Sequence, residues 1–256
     1  MSVNPNEQDL TTRRAYYDAF SGQYEQGRDK GYHAFLDRAE LRAILPNVAG
    51  KRVLEAGCGT GLLLDPVSQV AEQAIGVDLS FGMIQHARTR GLNVVQGDLT
   101  NLPFSDDQFD VIYSCKVLAH VPDIGRVLTE LDRVTAPGGR LLLEFYNRHS
   151  VRYLVRRLRP GKATSGSQTD ADVYTRFDTQ KEVANAAPAH WKLVNRYGIR
   201  VVTVIPQLFK VPILGAAWEK LESGLVESPL RGFGGFLLLE FQKGAASVES
   251  SASGDG

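Results

Sequence analysis

VLEAGCGTGLLL, residues 53–64, sets Gly57, Gly59 and Gly61 into five positions directly behind a short apolar run. The run reads as a strand, and the residues after the glycines open a helix. In an open α/β sheet the strand-to-helix turn at that place lies in the ligand crevice. Glycines there let the backbone take positive φ and let a ligand approach without meeting a Cβ. The dinucleotide fingerprint GxGxxG needs its third glycine one place later, where this chain has Leu62. Glu55 would repel a pyrophosphate, which favours the bare N-terminus of a helix. The turn therefore predicts a bound molecule that is positive where it meets Glu55.

The same alternation extends on both sides. RVLEAG is followed by a helix near 60–72, QAIGVD reads as a second strand, and Ser80 caps a helix running to Arg90, closed by Gly91. NVVQGD and FDVIYS are the third and fourth strands. Asp123 starts a helix that ends before APGG, and RLLLEFY is the fifth strand. Strands alternating with helices predict a Rossmann-like, doubly wound α/β fold around a mostly parallel sheet. Pro66 lies about one turn into the first helix, which predicts a kink or a late start.

Beyond Tyr146 the alternation breaks. A basic stretch and a polar loop precede a helix near 179–189, a strand at 191–205, the apolar insertion PQLFKVPILGAAW and a last strand, FGGFLLLEFQK. The last two strands predict an antiparallel addition at one edge, which brings the sheet to seven strands. The organisation expected is a helical N-terminal cap over 1–45 and one domain over 46–243 with insertions near 148–177 and 206–230. A small, polar and disordered tail is expected over 244–256.

Composition narrows the class. Lys plus Arg equals Asp plus Glu at 29 each, so the net charge is zero and no global field favours nucleic acid. Cys58 and Cys115 form neither a disulfide framework nor a metal-ligand spacing, so a reducing, cytoplasmic setting without a metal is expected. Residues 1–14 lack an apolar signal region, and no run reaches the roughly 18 apolar residues of a membrane span.

EAGCGTG resembles the first motif of the class I S-adenosylmethionine-dependent methyltransferases, an acidic residue followed by GxGxG. GVDLS, QGDLTNLPF, SCKVLAHVPD and APGGRLLLE match the family in order, over residues 50–147. The whole is similar to the type 11 group of ubiquinone and menaquinone methyltransferases and their small-molecule relatives. The resemblance implies S-adenosylmethionine as cofactor, with Glu55, Gly57, Cys58, Gly59 and Gly61 at the turn. Asp78, beside Leu79 and Met83, would take the ribose hydroxyls, and a strand-end carboxylate suits a vicinal diol. Asp98, between Gly97 and Leu99, would meet the adenine amino group. Cys115 and Lys116 would line the pocket, and Tyr24 lies in the N-terminal region that covers the cofactor in similar enzymes.

Methyl transfer from a sulfonium is an in-line displacement, so alignment and exclusion of water carry much of the catalysis. His120, just past the fourth strand, is the candidate base if the nucleophile must lose a proton. Tyr32, Tyr146, Asn147 and Arg176 are candidate contacts to a small, lipophilic or aromatic acceptor. Val151, Leu154, Val155 and Leu158 form a helical apolar stripe among arginines, a pattern suited either to a lid packed on the core or to peripheral membrane contact through 151–159. The sequence offers no cluster of acidic metal ligands. Two other readings stay open here, a nicotinamide-dependent oxidoreductase and a non-catalytic cofactor-binding protein, and neither the acceptor atom nor the oligomeric state is legible.

Overall fold

The computed structural model describes residues 10–28, 30–158, 163–165, 168–169, 174–203 and 212–245. Two helices, α1 (Leu10–Ser21) and α2 (Gly31–Val48), lead into β1 (Arg52–Ala56). Then come α3 (Leu64–Ser68), β2 (Gln73–Asp78), α4 (Phe81–Thr89), β3 (Val94–Gln96), β4 (Phe109–Ser114), α5 (Ile124–Val134) and β5 (Thr135–Tyr146). The second half contains α6 (Val151–Leu158), a small ribbon of β6 (Ala163–Ser165) and β7 (Gln168–Thr169), α7 (Gln180–Ala186), β8 (Trp191–Ile199), α8 (Pro212–Leu225) and β9 (Phe236–Lys243).

Seven strands form one sheet in the order β3-β2-β1-β4-β5-β9-β8, as a doubly wound fold requires. Strand residues alternate between the two faces. Leu54, Ile112 and Leu141 pack with α5 on one side, whereas Val53, Val111 and Leu142 pack with α2 on the other. The α5 residues Val127, Leu128, Leu131 and Val134 recur at helical spacing, and all are buried. Local caps fix the helix starts. Ser80 Oγ accepts from the Met83 amide, Asp123 from the Arg126 amide, and Thr179 and Glu182 close a reciprocal box on α7.

Two element bounds differ from expectation, while the edge follows it. The first helix occupies only 64–68, because Gly59 and Gly61 hold the chain in a turn and Pro66 is tolerated only in a first helical turn. The last two strands form the expected antiparallel pair at one edge. β9 alone runs antiparallel, inserted between β5 and β8, so β8 runs in the same sense as β5. The strand expected to reach 205 stops at Ile199, where Arg200 adopts φ +62°. Residues 246–256 of the tail, 206–211 of the apolar insertion and 159–162 of the basic stretch lie outside the described residues. Among the described residues no helix is long and apolar enough to cross a membrane.

Helix α1 closes over the sheet edge. Asp18 Oδ1 accepts from Ser80 Oγ at 2.6 Å and from the Gly82 amide at 2.9 Å, which pins α1 to the start of α4. This brings α1 and the turn after it over the carboxyl ends of β1 and β2.

Candidate active site

The glycine turn is held by its backbone. The Gly57 and Cys58 amides donate to the Val77 carbonyl at 2.8 and 3.0 Å, and the Gly61 amide donates to Cys58 O. All three glycines adopt positive φ, for separate reasons. A Cβ on Gly57 would lie 2.4 Å from Val117, and one on Gly61 would lie 2.3 Å from Leu92. Those two glycines let the β4 loop and α4 pack close. At Gly59 the nearest atoms are those of Tyr24, at 3.9 Å, so this is the glycine that leaves room above the turn.

Asp78, at the end of β2, spans the site. Its carboxylate accepts from the Gly59 amide at 2.8 Å and from the Ser80 amide at 2.9 Å. Burial raises its pKa, and the amide hydrogen bonds oppose that rise. Each oxygen has a further lone pair for a ligand. Glu55 is 2% exposed and accepts from the Tyr113 hydroxyl at 3.1 Å. Desolvation raises its carboxyl well above the ordinary range, a penalty that a cation brought beside it would relieve. Asp98 accepts from the Thr100 amide and hydroxyl, which orients it at the cavity edge.

These groups line a cavity of about 960 Å³, its open mouth included. Gly57, Cys58 and Gly59 meet there with Glu55, Asp78, Leu79 and Met83. Asp98, Leu99, Cys115, Lys116, His120 and Tyr24 complete the expected set. Gly61 and Gly97 lie back from the cavity lining. Neither lines the cavity, because Gly61 is used up by its approach to Leu92, and a Cβ on Gly97 would lie 2.9 Å from Val77 and 3.1 Å from Pro103.

The cavity also takes in residues that no motif marked. Arg13 and Tyr17 come from α1, and Arg28 and Asp37 come from the turn before α2 and from α2 itself. The Arg28 guanidinium lies 4.4 Å above the Tyr24 ring. Leu62, Leu63, Val117 and Val121 supply apolar lining. These four lie inside the quoted stretches VLEAGCGTGLLL and SCKVLAHVPD, so the motifs themselves were a signal. Arg13 and Tyr17 had none, since long-range contacts position α1.

His120 stands at one side of the cavity. Its Nδ1 is 2.9 Å from the Tyr174 carbonyl, which can only accept, so Nδ1 carries a hydrogen and donates it. The Tyr146 hydroxyl donates toward Nε2 at 3.4 Å, and the two rings meet edge to face. Tyr32 packs outside the cavity lining, with Arg200 over its ring at 5.1 Å. Asn147 and Arg176 are engaged within the chain. Asn147 is fully buried and donates to Gly232 O and Gly234 O at 2.8 Å, while its Oδ1 accepts from the His149 amide. Arg176 forks onto Asp178, and its amide donates to Ala119 O. Both residues clamp chain segments together and do not line the cleft.

An acidic cluster, absent from the sequence pattern, is assembled by the fold. Glu40 of α2, Cys115 and Glu144 of β5 bring their polar atoms within 4.8 Å of one another, all buried. Lys116, held at φ +62°, places Nζ 2.9 Å from Glu40 and 2.7 Å from Asp37. Burial raises the Glu40 and Glu144 carboxyls, and the surrounding carboxylates raise the Lys116 ammonium. The cluster fastens α2 to the floor beneath the cavity.

A family profile described as "Methyltransferase domain" matches residues 54–143. A demethylmenaquinone methyltransferase of Mycolicibacterium paratuberculosis is 33% identical over 167 residues, which cover 62% of this chain and 70% of that protein. A probable S-adenosylmethionine-dependent methyltransferase of Mycolicibacterium smegmatis is 37% identical over 102 residues, 39% of this chain and 40% of that one. A ubiquinone biosynthesis O-methyltransferase of Methylococcus capsulatus is 31% identical over 116 residues, 43% of this chain and 49% of that protein. The chain thus spans about half the length of these last two curated relatives, or less. Among solved structures, an S-adenosylmethionine-dependent methyltransferase of Thermotoga maritima superposes with a TM-score of 0.64 over 90% of this chain and 99% of that one, at 23% identity. That likeness shows the fold. The chain belongs to the S-adenosylmethionine-dependent methyltransferase family.

Proposed function

We propose that the protein transfers a methyl group from S-adenosylmethionine to a small-molecule acceptor. The observation that carries this reading is Asp78, locked by the Gly59 and Ser80 amides at the mouth of a glycine turn whose central residue alone leaves space above it. Asp78 would hold the ribose hydroxyls, and Asp98 the adenine amino group between Leu79, Met83 and Leu99. Glu55 would face the methionine end, where an ammonium matches a buried carboxylate. Tyr24 and Arg28 would cover the cofactor and exclude water. Bound S-adenosylmethionine supplies a methyl group already activated on a sulfonium. His120 Nε2, its tautomer fixed by the Tyr174 carbonyl, takes the proton of an acceptor hydroxyl or amine.

Calorimetric titration with S-adenosylmethionine, S-adenosylhomocysteine and NADH, on wild type and Asp78→Ala, tests the cofactor assignment. Micromolar binding of both adenosyl ligands, lost in the variant and absent for NADH, is expected, and an acceptor screen would then start with phenols and quinone precursors. Tight NADH binding would overturn the assignment in favour of an oxidoreductase. Adenosyl binding with no turnover on any acceptor would favour a non-catalytic binding protein.

A second reading concerns α6. Val151, Leu154 and Val155 are 42%, 56% and 39% exposed and share one side of the helix, with Arg157 exposed beside them. We infer that this face rests on an anionic membrane surface. Co-sedimentation with phosphatidylglycerol vesicles, reduced in Leu154→Glu, is expected, and equal sedimentation of the variant would end this reading. The two free, buried cysteines suit a reducing compartment, and we assign the protein to the cytoplasm.

A further inference from the structure

Helix α6 is turned opposite to its sequence pattern. Val151, Leu154 and Val155 face outward, and Arg152 faces in. The Arg152 guanidinium lies 4.4 Å from the Tyr146 ring centroid, 4.9 Å from Phe236 and 5.9 Å from Phe177. Its Nη1 is completely buried and has no hydrogen-bond partner. A buried, unpartnered cationic donor is costly, so this arrangement points to a partner that arrives from outside the chain.

Arg200 is the second such group. It ends β8 at φ +62°, a conformation that a long side chain rarely takes without cause. Its Nε donates to Thr203 O at 2.8 Å, and the guanidinium lies over Tyr32. Burial and the nearby charge of Arg152 both push it below its ordinary pKa. The acid nearest in effect, Glu222, already accepts from the Val201, Val202 and Thr203 amides and the Thr203 hydroxyl. Among the described residues neither arginine forms an ion pair. Tyr146, which carries Arg152 on its face, also reaches toward His120 Nε2 at the cavity.

We propose that Arg152 and Arg200 form an anion subsite for the methyl acceptor, so that the acceptor is an organic acid bearing a carboxylate or a phosphate. This rests on the methyltransferase reading. The guanidinium forks bind the acid group and orient the rest of the acceptor over the Tyr146 face, with its nucleophile at His120. Two guanidinium groups, neither in an ion pair among the described residues, favour an anionic acceptor over a neutral one.

The test uses the full chain saturated with S-adenosylhomocysteine. Three probes are titrated by calorimetry with ligand-observed NMR: 4-hydroxybenzoate, phenyl phosphate and the neutral 4-hydroxybenzamide. At least one anion should bind about tenfold more tightly than the amide, as one or two charge-assisted hydrogen bonds allow. Which anion binds better separates a carboxylate acceptor from a phosphate. The preference should collapse in Arg152→Met and in Arg200→Met, and Arg152→Lys should recover part of it. S-adenosylhomocysteine affinity should stay unchanged in every variant, which shows that the variants fold. The subsite is overturned if the amide matches both anions, if the preference survives both Met variants, or if none of the probes binds the loaded protein. Loss of S-adenosylhomocysteine binding by the wild type would instead overturn the methyltransferase reading.

Discussion

The wall that β1 and β2 give to the cleft is made largely of main chain, and the wall opposite is made of side chains. On the first, the Gly57 and Cys58 amides donate to the Val77 carbonyl, and the Gly59 and Ser80 amides donate to Asp78. On the second, α1, the turn after it and α2 bring in Arg13, Tyr17, Tyr24, Arg28 and Asp37, while Tyr146 of β5 reaches toward His120 and carries Arg152 of α6 on its ring. A main-chain wall suits a constant ligand, since backbone geometry changes little with sequence. A side-chain wall suits a ligand that differs among relatives, since single replacements re-shape it.

The largest expected effect lies on the main-chain wall. Asp78→Ala should weaken S-adenosylhomocysteine binding by about 100-fold or more, because it removes charge-assisted hydrogen bonds to the ligand and to the turn itself. Calorimetry measures this, and a loss below threefold would break the contrast between the walls. Next comes a fold effect on the side-chain wall. A Cβ on Gly198 would lie 2.2 Å from the Arg231 carbonyl oxygen, backbone that cannot swing aside. Gly198→Ala should cost about 1–3 kcal/mol and lower the melting temperature by roughly 2–4 °C per kcal/mol. An unchanged melting curve would show that the 229–233 turn is loosely held.

A smaller effect depends on pH. Burial holds the Glu144 carboxyl well above its ordinary 4.5, so the native state favours the protonated form. Its contribution to stability is complete below about pH 4.5 and is lost as pH rises through the raised value. Glu144→Gln fixes the neutral shape, so the variant should gain on the wild type as pH rises in thermal melts from acid to alkaline buffer. Parallel pH profiles would show that Lys116 already neutralises the cluster. The smallest effect belongs to the surface fork between Arg38 of α2 and Glu219 of α8, at 2.8 and 2.6 Å. With Arg38 49% exposed, Arg38→Ala should cost no more than about 1 kcal/mol in chemical denaturation. A larger loss would mean that α8 depends on this contact.

The main-chain wall was legible in the sequence. Gly57, Gly59 and Asp78 mark themselves by spacing, because turn and strand end are fixed within a few residues of chain, whereas Asp98 was marked only by the family resemblance. The side-chain wall was read less well. Asn147 and Arg176 lie where a substrate contact is plausible by position, yet the tertiary contacts to Gly232, Gly234 and Asp178 take up their hydrogen bonds. Arg13 and Tyr17 escaped notice because nothing local distinguishes them. The acidic cluster was hidden for the same reason, since Glu40, Cys115 and Glu144 are scattered along the chain and meet only when α2 lies on the sheet.

The sequence by itself determined the alternating α/β order, the glycine turn and the carboxylates at the strand ends, since periodicity and turn chemistry act over short distances. Only the tertiary structure decided that β9 inserts between β5 and β8, that α6 turns Val151, Leu154 and Val155 outward, and that Arg152 lies on the ring of Tyr146, which reaches toward His120. Those outcomes depend on which distant surfaces bury one another and on where a charge can be left without a partner, and neither quantity is carried by any local stretch of chain.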